Sequence, residues 1–143
     1  MNKIFKFEFF LLTLFLMVAF NANAENRPPY AAGIESGIKL FEEHQYQLAA
    51  NEFKAILEKY PKNPVASYNL GLTQYRQKKF PDAIRSFTVA AESKSYYSRP
   101  SLYYKAISHM NVNEPAEAVK IAKNYNQKDF IGQRMAEIGR AHV

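Results

Sequence analysis

Beyond residue 30, apolar residues return every three or four positions, the period of a helix with one buried face. Ile34, Ile38 and Phe41 form one such stripe, and Ala83, Phe87 and Ala90 another. The pattern predicts helices over about Tyr30 to Glu43, Tyr46 to Tyr60, 65 to 77, 80 to 92, 101 to 111 and 115 to 125. Lys128 to Ala136 starts a further one. Pro61 closes the second helix, and Asn63-Pro64 opens the third, with Asn as cap and Pro in the tolerated first position. Ser93 to Pro100, with Tyr96 and Tyr97, reads as a loop. Pro81 and Pro115 would break a helix interior but fall in first turns, beside Asp82 and Glu114 at the helix end that favours acids.

The helices pair in a fixed rhythm. Gly71, Phe80, Ala83, Phe87 and Ala90 have counterparts 34 residues upstream at Gly37, Tyr46, Ala49, Phe53 and Ile56. A weaker third copy puts Ala106 at the glycine place, Ala118 at the first alanine place and Ala122 at the aromatic place, with one extra residue near Ser98-Arg99-Pro100. Small residues belong where two antiparallel helices cross. Gly33 and Gly37 each cost about 1 kcal/mol of helix propensity relative to Ala, which close packing must offset. A hairpin that cannot bury its face alone must stack on a neighbour, so the period predicts a helical solenoid.

These residues resemble the tetratricopeptide repeat over about residues 30 to 127. The resemblance implies an all-α fold of helical hairpins stacked as a right-handed α-solenoid, in units of about 30–63, 64–98 and 99–127 plus a partial helix within a domain of 30–136. It also implies a concave groove lined by the first helix of each hairpin, which holds a protein or peptide segment. The lining it implies is Ile34, Ile38, Phe41 and Glu42, then Tyr68, Asn69, Leu72, Tyr75 and Arg76, then Tyr103, Tyr104, Ile107 and Met110. The binding candidates are Ile38, Phe41, Tyr68, Asn69, Leu72, Tyr75, Arg76, Tyr103 and Tyr104. Tyr and Arg are enriched among binding hot spots, and Asn69 can offer a peptide backbone both a donor and an acceptor. Each apolar member could equally pack between units. Members of this family that clamp a C-terminal carboxylate use Lys, Asn, Asn, Lys and Arg. Only Asn69 is kept here, with Ile34, Ile38, Pro100 and Tyr104 at the other places, so the groove reads as apolar and aromatic.

Composition adjusts this picture at the ends. Residues 1–24 read as a secretory signal peptide: Lys3 and Lys6, an apolar run from Phe9 to Phe20 too short to span a bilayer comfortably, then Ala22-Asn23-Ala24. Cleavage after Ala24 leaves a short linker, 25–29. It also leaves a tyrosine-rich chain, since 6 of the 11 Phe but none of the 10 Tyr precede that point. Of the net charge of +6, all but +1 remains, a mildly basic balance. Ile138 to Val143 corresponds to ATC GGA AGA GCA CAC GTC, the start of a common sequencing adapter. Residues 137–143 are therefore expected to be non-native, with native sequence ending near Ala136.

Candidate chemistry is sparse. With no Cys, the sequence has no disulfide, thiolate nucleophile or thiolate metal site. It carries no Gly-x-Ser-x-Gly, phosphate-loop or His-Glu-x-x-His pattern. His44 and His109 are isolated, and adjacent Glu42 and Glu43 point about 100 degrees apart on a helix. No basic stripe interleaves with aromatics as in a nucleic-acid reader. The expectation is a non-enzymatic adaptor without cofactor or metal, exported to the periplasm or cell envelope, with no transmembrane span after cleavage. The alternative is the N-terminal domain of a longer envelope protein bearing a barrel, an enzyme or more repeats. N-terminal sequencing of the exported protein should begin at Glu25. A mature chain that starts at Met1 would overturn the signal-peptide reading.

Overall fold

The computed structural model describes residues 27–123 and 130–141, and the segment read as a signal peptide lies outside them. The chain forms two compact units, Met1–Ala31 and Ala32–Val143. The described part of the first is a turn in which the Ala31 N–H donates to the Pro28 carbonyl at 2.9 Å.

The rest is helical among the described residues: α1 (Ala31–Glu42), α2 (Tyr46–Lys59), α3 (Pro64–Arg76), α4 (Phe80–Glu92), α5 (Ser98–Asn111), α6 (Pro115–Lys123) and α7 (Phe130–Ala141). From α2 onward each helix packs on the next, and α3 also meets α5, as α5 meets α7. Contact with the next helix and the next but one is the signature of hairpins stacked into an α-solenoid. Asn63 caps α3 as the sequence predicts, its Oδ1 accepting from the Ala66 N–H at 3.0 Å, with Pro64 at the first position. Pro81 and Pro115 both sit in first turns, where no backbone N–H is missed.

Each of the first two hairpins closes on a ring pressed against bare backbone. Phe53 and Phe87 are fully buried. A methyl group on Gly37 would lie 2.5 Å from Phe53 Cε1, and one on Gly71 would lie 2.6 Å from Phe87 Cε1. The glycines are therefore required by volume, and burying each ring contributes about 1.5–3 kcal/mol. Gly33 meets Ile56 less tightly, at 3.1 Å from a methyl to Cδ1. The third hairpin solves the same crossing by subtraction. Ala106 faces a cluster with Ala118 and Ala122, joined by Leu102, Tyr103, Met110, Ile121 and Ile138. Both partners have changed together, a larger residue for glycine and a smaller one for phenylalanine.

The turns inside the hairpins share one geometry. His44, Lys78 and Asn113 have φ of 61°, 59° and 59°, the left-handed region. Gln45, Lys79 and Glu114 donate their N–H groups to the carbonyls of Leu40, Gln74 and His109 at 2.8, 2.9 and 2.9 Å. That six-to-one bond after a left-handed residue is the Schellman C-cap. It satisfies carbonyls a helix end leaves open. Glycine is the usual occupant, and none stands at these three places.

One expected element needs correction. Ser93 to Pro100 is not all loop, because α5 begins at Ser98. Ser95 Oγ accepts from the Tyr97 N–H at 3.2 Å, while the Ser95 N–H donates to Ser98 Oγ at 3.0 Å. These bonds close the turn that leads into the helix, whose N-cap, Tyr97, makes no side-chain capping bond. The extra residue of the third repeat is absorbed here. The sixth helix is described only to Lys123, short of the expected 125, and α7 continues through the stretch that the codon reading sets apart.

Replacing Gly71 with Ala tests the ring-on-backbone contact. In an open helix this change stabilises by about 1 kcal/mol. Here overpacking should produce a net loss of about 1–3 kcal/mol in chemical denaturation. Combined with Phe87→Ala, the double variant should lose less than the sum of the two single losses. Additive losses would show that the residues do not meet.

Candidate functional site

The first helices of the hairpins, α1, α3 and α5, carry the residues predicted to line the groove. Within two hairpins the rings are arranged alike. Phe41 meets Tyr46 edge-on at 5.4 Å, and Tyr75 meets Phe80 edge-on at 5.4 Å. Both pairs bracket a left-handed turn, which brings the end of one helix over the start of the next. The third hairpin has Met110 and Pro115 at these places and no ring pair.

Rings also join across hairpins. Tyr104 on α5 stacks on Phe87 of α4 at 5.5 Å and 17°. It lies 5.9 Å from Tyr75 and 6.2 Å from Tyr68, both on α3. Tyr68 continues the series to Tyr97 at 5.3 Å, and Tyr97 to Tyr96 at 5.6 Å. Tyr96 is 88% exposed, so the series runs from a buried anchor at Phe87 to open solvent. Stacked and edge-to-face ring pairs are worth about 0.5–1.5 kcal/mol each beyond area burial. They hold the rings in fixed mutual orientations. Tyr103 touches Tyr104 at 5.3 Å and also packs on the alanine cluster.

Arg76 supplies a charge near this strip. Its guanidinium lies over the Phe41 ring at 5.9 Å, linking α3 to α1 by a cation–π contact. Glu42 occupies the equivalent place on α1 and is exposed. Ile38 and Leu72, each one turn before Phe41 and Tyr75, are partly buried aliphatic residues. Ile34 is buried in the core. Asn69 is less available than its residue type suggests, because its Nδ2 donates to the Val65 carbonyl of its own helix at 2.8 Å. One of its two side-chain donors is thus spent locally.

Tyr97 and Tyr96 extend the strip beyond the predicted residues, and Phe80 and Phe87 anchor it. The adjacent tyrosines in the inter-repeat insertion were the available signal. The histidines are held locally: His44 Nδ1 by the Tyr46 hydroxyl at 2.9 Å, and His109 Nδ1 by Glu114 Oε2 at 2.7 Å. No group of three or more His, Cys, Asp or Glu able to hold a metal occurs among the described residues. No helix among them is long and apolar enough to cross a membrane.

Burial pushes the Tyr68 hydroxyl up to about 12, and Tyr104, Tyr96 and Tyr97 add to the effect. Burial likewise raises Tyr104, with Tyr103 reinforcing and Arg76 opposing. Neighbouring phenols resist each other's ionisation because a second anion in a half-dry cluster is poorly solvated.

The family described as tetratricopeptide repeat matches residues 40–94, the span that holds α2, α3 and α4. This match supports that family for the chain, and such repeats are typically non-catalytic interaction modules. No curated protein matches the chain.

The raised Tyr68 value has a testable consequence. The unfolded phenol ionises near 10 and the folded one near 12. The contribution to stability is therefore fully present below pH 10 and is lost as pH rises from about 10 to 12. In ultraviolet titration, one tyrosine should ionise near 12 and vanish in Tyr68→Phe. An unchanged titration curve in that variant would refute the assignment.

Proposed function

We propose that the chain is an exported scaffold of the cell envelope that holds a segment of a partner protein against the faces of α1, α3 and α5. The repeat match supports a protein-interaction role. The basic, apolar and small-residue order of residues 1–24 supports export. The observation that carries the binding reading is the pre-oriented ring strip from Tyr75 through Tyr104 and Tyr68 to Tyr97. Rigid aromatic rings supply contact area at low entropic cost, which is why such residues dominate interface energetics. The competing reading, an N-terminal repeat domain of a longer envelope protein, is separated by re-reading the 3′ end of the gene from source DNA.

A photo-crosslinking amino acid placed at Tyr103 or Leu72 tests the binding face, with Val89 on α4 as the outward control. The expected result is one partner adduct from the first two positions and none from Val89. Tyr75→Ala should then weaken partner binding by about 2 kcal/mol, or roughly thirtyfold. Adducts that form only from Val89 would overturn the proposal.

A further inference from the structure

The third hairpin departs from the second at one more place, and the departure opens a cleft. In the second hairpin Leu70 is buried, and Ser86 Oγ donates to Gln74 Oε1 at 2.7 Å to tie α4 to α3. Thirty-five residues on, the same places hold Lys105, Ile121 and His109. These three line a cleft of about 450 Å³, within the size range of small-molecule sites. Leu102 and Ile121 form apolar wall, with Ile84 of α4 facing them. Glu117 and Lys120 stand at the rim.

One of the cations around this cleft stands without a paired anion. Lys120 Nζ lies 3.6 Å from Glu117, and His109 is held by Glu114. Lys105 has neither an ion pair nor a hydrogen bond among the described residues, yet it is partly buried in the place of a core leucine. An ammonium beside an apolar wall can take one anionic group as a charge-assisted partner.

We propose that this cleft binds a small amphiphile with a single carboxylate head and an apolar body. The head sits on Lys105 Nζ, and the body lies along Leu102, Ile121 and Ile84. One unpaired ammonium favours one negative charge. The site shares no lining residue with the ring strip, so ligand and protein partner can be tested separately.

The test uses octanoate, with octanol as the uncharged match, titrated into the full chain lacking residues 1–24 and followed by amide NMR shifts. Octanoate should give saturable shifts centred on Leu102, Lys105, His109 and Ile121. Lys105→Gln should weaken octanoate binding about tenfold or more, while Lys105→Arg, which keeps the charge, should stay within about threefold. Octanol should bind the wild type and Lys105→Gln alike. Helicity by circular dichroism verifies that both variants fold. The proposal fails if octanoate produces no saturable shifts at the cleft. It also fails if Lys105→Gln titrates like the wild type, or if the shifts centre on Tyr68 and Tyr104 instead.

Discussion

A phenylalanine ring seated on bare helix backbone sets the distance between the helices of the first two hairpins. Phe53 on Gly37 and Phe87 on Gly71 leave no room for even one added methyl group. That closeness places Ala49 and Ala83 at zero exposure and brings the second helix of each hairpin under the first. The ring strip depends on it in turn. Phe87 is both the plug of its own hairpin and the surface on which Tyr104 of the next hairpin stacks. The same buried side chain thus fixes the inside of one repeat and the joint to its neighbour.

The third hairpin shows that the constraint is on summed volume, not on residue identity. Ala106 and Ala122 replace glycine and phenylalanine together. The exchange removes a large ring and with it the strongest local anchor. Leu102, Tyr103, Met110 and Ile138 gather around the three small residues instead. A polar Lys105 at the place of Leu70 lines the cleft in this looser setting.

Much of this was legible in the sequence because the relevant forces are periodic. The 3.6-residue stripe located the helices, and α4 spans the residues expected of it. The small places at Gly37 and Gly71 announced a close crossing. The start of α5 was not legible, because it rests on serines bonding to each other's backbone and side chains, a local network with no apolar period. The family resemblance put Tyr68, Tyr75 and Tyr104 in one groove lining. It could not say that the rings close on one another across hairpins, since that depends on how one hairpin seats on the next. The local bond of Asn69 was not legible either: a helical asparagine can turn back on a carbonyl of its own helix, and this one does with one of its two donors.

The left-handed turns at His44, Lys78 and Asn113 carry a further meaning. Each follows its small crossing residue by seven positions and precedes its ring or alanine partner by nine, so all three hairpins have one internal length. The one extra residue of the array lies between hairpins, beside Tyr96 and Tyr97. The hairpin is thus a closed unit in which crossing and turn are coupled, and the segments between hairpins are where length can be edited. Insertions in such a chain are filtered by location: those between hairpins are absorbed and can lend new side chains to the surface, as the paired tyrosines do here. Those inside a hairpin would lift a ring off its glycine.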